Sequence, residues 1–229
     1  MSTKKGNQDP LEEEVKHLNE GFEKLEYQFE EHKSKILTVL TVLIVLVLAY
    51  VGYNKLIKEP KEIEASASIF KAQQYFEKDS FKLALNGDGA NLGFEAILDE
   101  FGSTKTAKIA KYQAGICQLK LGKYQEAIDY LEDYTCPDKL IQTIANGGTG
   151  DAYMELGKVD DGIANYEKAV KNAAGNEILE PIYLSRLAVA ALVNKKEDIA
   201  KSNFELLVEK YPDTNEGNDA VKYLLTLGE

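Results

Sequence analysis

Side chains that could do chemistry are few in this sequence, and their positions argue against an active site. Both histidines, His17 and His32, precede a long apolar run, so the rest of the chain has no imidazole for a nucleophile–histidine pair or a metal site. The two cysteines lack metal-ligand spacing, because Cys117 lies among apolar residues of a predicted helix and Cys136 lies beside Pro137 in a predicted turn. A disulfide between the two thiols is an open alternative in an oxidising compartment.

Two loop-forming patterns could hold a nucleotide or a calcium ion, and neither is complete. The glycines within 87–93 do not follow a predicted strand and are not spaced as a phosphate-binding loop. A calcium loop starting at residue 86 needs oxygen ligands where the chain has Ala90 and Ile97. We therefore expect no enzymatic activity, no cofactor, no metal site and no small-molecule substrate. The formal net charge of −11 also argues against nucleic acid as a partner, because an acidic surface repels phosphate.

The dominant pattern is a spacing that recurs after about 35 residues. Small residues recur where two helices would approach closely, and large apolar residues recur where neighbouring helical hairpins would pack. The three copies contain Gly115, Gly122, Tyr124, Ala127 and Leu131, then Gly150, Gly157, Val159, Gly162 and Tyr166, then Ala188, Lys195, Glu197, Ala200 and Phe204. One hairpin alone cannot bury its apolar face, so the spacing predicts a stack of hairpins, which is a solenoid.

Apolar periodicity predicts an all-α domain over residues 62–229, with no strand of any length. The predicted helices are 62–78, 92–101, 104–121, 124–134, 139–156, 160–172, 180–194, 197–210 and 215–227, and 86–91 is a predicted loop. The helices from 104 onward form successive hairpins, and 215–227 caps the stack.

Residues 36–54 form an uncharged run that is rich in Leu, Val and Ile. At 1.5 Å per residue, a helix of this length crosses a bilayer core of roughly 30 Å. The apolar character extends all round the predicted helix, and a cleavable signal would have a shorter apolar core followed by small residues. We therefore predict a single uncleaved transmembrane helix, joined to the repeats by a linker at 55–61. Lysines flank both ends of the run equally, so charge leaves its orientation undecided.

Residues 1–35 precede the predicted span and contain an apolar heptad seam. Its members are Leu11, Val15, Leu18, Phe22, Leu25 and Phe29. Such a seam could form a short coiled coil or dock on a partner helix, or the segment could be an amphipathic connector to the membrane. The spacing does not decide between partner contact and connector.

Stacked hairpins present the first helix of each pair along a concave inner wall, where a protein partner would bind. Helical spacing places on this wall Tyr112, Ile116, Leu119, Asp151, Met154, Glu155, Val189 and Leu192. Apolar side chains edged by carboxylates suit an extended or unfolded peptide with some basic residues. The alternative for each of these residues is a place in the core between repeats.

The recurring residues resemble tetratricopeptide repeats over roughly residues 69–227. The chain departs from the family pattern at Gln118, where an aromatic residue is usual, at Gly162, where Ala is usual, and at Lys195, where Gly is usual. The resemblance implies an all-α solenoid of helical hairpins, which would follow the single N-terminal transmembrane helix predicted at 36–54.

The whole chain, including its short N-terminal segment, its single span and the run from Leu92 to Phe94, resembles membrane-anchored tetratricopeptide proteins of Bacteroidota. These are similar to the ancillary SecYEG translocon subunit of the YfgM type. The resemblance implies an inner-membrane protein with a cytoplasmic N-terminus and periplasmic repeats. It implies as partners the SecYEG channel subunits, a membrane-anchored periplasmic prolyl-isomerase-like chaperone and secreted clients. The alternative function is a structural scaffold or assembly factor of another cell-envelope complex.

Overall fold

The computed structural model describes residues 10–227, and it describes side chains for residues 32–227. Every regular element in this range is helical, which confirms the predicted all-α class. The chain divides between Glu59 and Pro60 into two compact units.

The first unit contains helix α1, Pro10–Tyr53, and a π-helical turn over Asn54–Lys58. Within His32–Glu77, the most apolar window has a mean hydropathy of 2.6 and none of it is buried, so one described helix is long and apolar enough to cross a membrane. Thr38 Oγ1 donates to the carbonyl of Ser34, and Thr41 Oγ1 donates to the carbonyl of Leu37, each at 2.8 Å. These bonds satisfy both hydroxyls inside the helix, which makes the threonines compatible with an apolar environment.

Two sequence predictions concern the ends of this apolar helix. The heptad seam from Leu11 to Phe29 lies outside the residues whose side chains are described, so it stays a prediction. Residues 55–61, predicted as a linker, have helical backbone. Pro60 occupies the second position of the next helix, where a missing N–H leaves no bond unmade within that helix.

The second unit is a series of short helices joined by tight turns. They are α2 (Glu59–Glu77), α3 (Phe81–Asn86), α4 (Phe94–Phe101), α5 (Lys105–Lys120), α6 (Tyr124–Leu131), α7 (Lys139–Glu155), α8 (Val159–Ala173), α9 (Leu179–Val193), α10 (Glu197–Lys210) and α11 (Asn215–Leu227). Helices α5 and α6, α7 and α8, and α9 and α10 pack as hairpins, and α11 packs on α9 and α10. This order confirms the predicted solenoid of hairpins.

Glycine sets the distance between the two helices of a hairpin. A Cβ atom on Gly115 would lie 2.5 Å from Leu131 Cγ, and one on Gly150 would lie 2.7 Å from Tyr166 Cδ1. No carbon pair approaches that closely without displacement, so only glycine allows the large residue of the second helix to pack at each position. The recurring pairs of small and large residues in the sequence therefore mark the contacts within each hairpin.

The structure differs from the sequence prediction at two elements. Helix α3 was not predicted, because its six residues are too few to show a helical period, yet it buries Ala84 and Leu85. Helix α6 ends at Leu131 and not at Tyr134. The Tyr134 N–H donates to the Leu131 carbonyl in a tight turn, and the Tyr134 side chain is buried.

The loop after α3 is closed by Asp88. Its carboxylate accepts hydrogen bonds from the backbone N–H groups of Ala90 and Asn91 and from the Tyr75 hydroxyl, at 2.7–2.9 Å. The Tyr75 hydroxyl and the Asn91 and Ala90 donors hold the pKa of Asp88 well below its usual range. The carboxylate thus stabilises a turn, and the described residues contain no cluster of three or more potential metal ligands among His, Cys, Asp and Glu.

The cysteines are both free thiols, so the disulfide that the sequence left open is not formed. Cys117 is fully buried in α5, where desolvation raises the pKa of its thiol to about 12. Cys136 is partly exposed in the turn before α7, and its Sγ donates to the Asp138 carbonyl.

Candidate functional site

Helices α2, α5, α7 and α9 form a row of inner helices. Gln73 Nε2 on α2 donates to Gln113 Oε1 on α5 at 3.3 Å, and Arg186 on α9 donates to Asp151 on α7 at 2.6 Å. Ile116 on α5 packs against Gly148 on α7, because a Cβ atom added to Gly148 would lie only 3.3 Å from Ile116 Cδ1. The first helices of successive hairpins are therefore neighbours, as the predicted inner wall requires.

The residues predicted for this wall are half-buried, except Glu155, which is exposed. They divide among three core clusters. Tyr112 and Ile116 pack beside Leu131, Leu119 packs beside Ala127, and Met154, Val189 and Leu192 pack against the C-terminal core. Each apolar member of the set thus packs with one side in the core between repeats and keeps part of its surface exposed.

Tyr112 is an example of a residue that packs in the core and stays partly exposed. Its ring centroid lies 5.7 Å from that of Tyr134, and burial raises the pKa of its hydroxyl to about 12. At neutral pH the hydroxyl therefore stays protonated and remains a hydrogen-bond donor.

Asp151 is the centre of a polar cluster that joins three helices. Its Oδ1 accepts a hydrogen bond from the Tyr166 hydroxyl at 2.7 Å, and both carboxylate oxygens accept from the Arg186 guanidinium. The guanidinium lies 5.4 Å from the ring centroid of Tyr183, within reach of a cation–π interaction. Burial and the Asp151 charge raise the pKa of Tyr166, so its hydroxyl remains a donor.

This cluster changes the expected charge of the wall. The sequence pattern predicts an acidic edge at Asp151 and Glu155, but Arg186 compensates the charge of Asp151. Glu155 remains exposed at the end of α7, where its charge raises the pKa of the Tyr124 hydroxyl. Only one of the two predicted carboxylates therefore remains available to a basic partner.

Removing Arg186 should destabilise the repeats by about 1–2 kcal/mol, because Asp151 would remain partly buried without its main donor. The side chains of Arg186 and Asp151 are 42% and 30% exposed, so the pair is screened only in part. Thermal denaturation should show a lower melting temperature for Arg186→Ala than for Arg186→Lys, because Lys keeps the positive charge and loses only the bidentate geometry.

The matched control is Lys196→Ala, which breaks another pair between neighbouring hairpins. Lys196 pairs with Asp160, whose side chain is 78% exposed, so no measurable change in melting temperature is expected. Equal effects of Arg186→Ala and Lys196→Ala would contradict a structural role for the Asp151 cluster.

The wall predicted from the sequence omits three exposed apolar residues of α2 and α5. Ile63 and Phe70 on α2 are 71% and 62% exposed, and Ile109 on α5 is 43% exposed. Ile63 and Phe70 lie on the face of α2 opposite its buried residues, Ile69 among them. Ile63 and Phe70 are two helical turns apart, and this spacing in the sequence could have placed them on one face of a helix. The wall was predicted from the repeat of about 35 residues, and α2 lies outside that repeat.

Comparison with known proteins agrees with this architecture. Residues 110–135, which cover most of α5 and all of α6, match the family model of the tetratricopeptide repeat. No curated protein matches the chain. The match covers one hairpin, and together with the all-helical fold it supports a helical repeat architecture of the tetratricopeptide type. Such repeats are modules for protein–protein interaction and are generally non-catalytic, so protein partners are the expected ligands.

Proposed function

We propose that this is a non-enzymatic, membrane-anchored protein that binds other proteins at the inner membrane as an accessory to the SecYEG secretion translocon. Residues 36–54 anchor it, residues 1–35 lie in the cytoplasm, and the repeats of residues 62–229 face the periplasm. The observation that carries the proposal is an apolar helix, exposed on all sides, in the same chain as an interaction module. The whole-chain resemblance to YfgM-type proteins supports the orientation and the choice of translocon.

The proposed partners are the SecYEG channel subunits, a membrane-anchored periplasmic prolyl-isomerase-like chaperone and secreted clients. They would bind the inner wall, whose proposed binding residues are Tyr112, Ile116, Leu119, Met154, Glu155, Val189 and Leu192. Asp151, also predicted for this wall, is occupied by Arg186 and would hold the helices together beneath the partner. Half-buried apolar residues suit this role, because packing fixes their positions and their exposed part can still be covered by a partner.

Affinity purification of the tagged full-length protein from detergent-extracted membranes tests this proposal. Channel subunits and the chaperone should co-purify. Val189→Ser together with Leu192→Ser should reduce their recovery, because both residues belong to the proposed wall on α9. The matched control is Leu206→Ser with Val208→Ser on α10, since all four residues are half-buried and pack against the same core.

Four outcomes are informative. Loss of partners in the wall variant alone supports the inner wall as the binding surface. Equal loss in both variants would mean that the substitutions act through stability, and would contradict the assignment of these two residues. Recovery of neither channel subunits nor chaperone with the parent protein would contradict the translocon role, and recovery of another envelope complex would favour the scaffold alternative.

A further inference from the structure

Helices α2 and α5 lie side by side, in parallel and in register. The Ser66 and Thr106 hydroxyls are hydrogen-bonded at 2.9 Å, and Gln73 bonds to Gln113 at 3.3 Å. Both bonds join residues that are 40 positions apart. The two helices therefore run in the same direction and keep the same register from the first bond to the second. Any residue within 66–73 therefore lies beside the segment 106–113.

Two exposed apolar residues lie within this aligned stretch. Phe70 is 62% exposed and Ile109 is 43% exposed, and Ile63 is 71% exposed two turns before Phe70. The opposite face of α2 already packs in the core through Ala65, Ile69 and Ala72. The exposed residues are thus not required to hold α2 in place, and together they form an apolar strip along the junction of the two helices.

Helix α5 gives this strip a basic border. It contains Lys105, Lys108, Lys111 and Lys120 and no acidic residue, in a chain whose net charge is −11. The ion pairs among the side chains of residues 32–227 use none of these four lysines. The nearby Glu62 carboxylate is occupied by the backbone N–H groups of Lys105 and Thr106 and by the Thr106 hydroxyl.

We propose that this surface, the α2–α5 patch of Ile63, Phe70, Ile109, Lys105 and Lys108, binds an acidic amphipathic helical segment of a protein partner. The inference rests on the proposed protein-binding role and specifies the chemistry of one partner segment. Ile63 and Phe70 are two helical turns apart. A partner helix lying along the patch could therefore contact them with residues that are also two turns apart on one of its faces. The ammonium groups would pair with carboxylates on its polar side, while the acidic remainder of the protein would repel those carboxylates from other sites.

A pair of synthetic peptides tests the patch on the full-length protein in nanodiscs of zwitterionic lipid. Both are fluorescein-labelled amphipathic helices of about 18 residues with the same Leu and Phe positions. One carries Glu at every polar position and the other carries Lys. Fluorescence anisotropy should show the Glu peptide binding at least about tenfold more tightly, with an affinity that falls as salt is added.

Two double variants should locate this binding. Phe70→Ser with Ile109→Ser should weaken the Glu peptide by about tenfold or more, and exposed positions tolerate this change without unfolding. Lys105→Glu with Lys108→Glu should abolish the preference for the Glu peptide. The control is Lys201→Glu with Lys210→Glu, which makes the same change of charge at exposed positions of α10 and should leave binding as in the parent.

Absence of Glu-peptide binding, equal affinity for both peptides, or full binding by either patch variant would overturn the inference. These results are distinguishable from failure of the proposed function. If channel subunits and the chaperone co-purify normally with Phe70→Ser and Ile109→Ser, and the peptides do not bind, only the patch is wrong. If the parent protein recovers no such partners but binds the Glu peptide through the patch, the patch stands and the translocon role fails.

Discussion

Replacing Phe204 by Ala should lower the free energy of unfolding by about 3–5 kcal/mol. Phe204 is fully buried, and its ring stacks on that of Tyr223 with centroids 4.7 Å apart. Through these contacts it joins α10 to the terminal helix α11, so Ala would leave a cavity at the end of the stack. Circular dichroism of the full-length protein in detergent should show a melting temperature lower by about 2–4 °C for each kcal/mol.

Phe70→Ala is the matched control, because it deletes the same side chain at a site that is 62% exposed. Its effect on stability should stay near or below about 0.5 kcal/mol. If the two variants melted at the same temperature, the C-terminal hairpins would not depend on the Phe204 core in the manner described.

Two adjacent glycines of α7 should respond to Ala in opposite ways. A Cβ atom on Gly147 would collide with the buried ring of Tyr183, and overpacking of this kind costs about 1–3 kcal/mol. A Cβ atom on Gly148 would lie 3.3 Å from Ile116 Cδ1 and from Leu131 Cδ1, so small shifts accommodate it. There the helix propensity of Ala, up to about 1 kcal/mol better than Gly, should offset the tighter contact.

Chemical denaturation of both variants in detergent measures this difference. Gly147→Ala should unfold at lower denaturant concentration than the parent, and Gly148→Ala at the same or higher concentration. The pair shares sequence context, helix and substitution, so a general effect of glycine replacement is controlled. Destabilisation of equal size in both variants would contradict the close approach of α7 and α9 at Gly147.

The hairpins could be predicted well from the sequence where a glycine occupies the turn between two paired helices. Gly122 and Gly157 have φ angles of +74° and +72° in the turns between paired helices, a conformation that favours glycine. Lys195 has φ +58° at the same place in the third hairpin. The backbone turn is thus preserved while the residue type is not, which is why the third copy showed the weakest match in the sequence.

Neither the α2–α5 patch nor the Asp151 cluster could be predicted from the sequence in this way. Helix α2 pairs with α5 at a separation of 40 residues, whereas Asp151 and Arg186 are 35 apart, so a search at one period misses α2. The ion pair was not predicted because nothing local to Asp151 indicates a partner on another hairpin. One feature of the sequence could have drawn attention to this ion pair, because Arg186 is the only arginine in the sequence.

The periplasmic orientation proposed for the repeats gives the most direct test of the central claim. Asp213 is exposed in the turn before α11, so Asp213→Cys introduces an accessible thiol. Cys136→Ser removes the partly exposed native thiol, and Cys117 stays unreactive because it is fully buried and its pKa is raised to about 12. A membrane-impermeant maleimide should label this variant in intact cells, and a Ser2→Cys control should be labelled only after the inner membrane is opened. Labelling of the Cys at position 213 only after the inner membrane is opened would contradict a periplasmic repeat domain and with it the role in secretion.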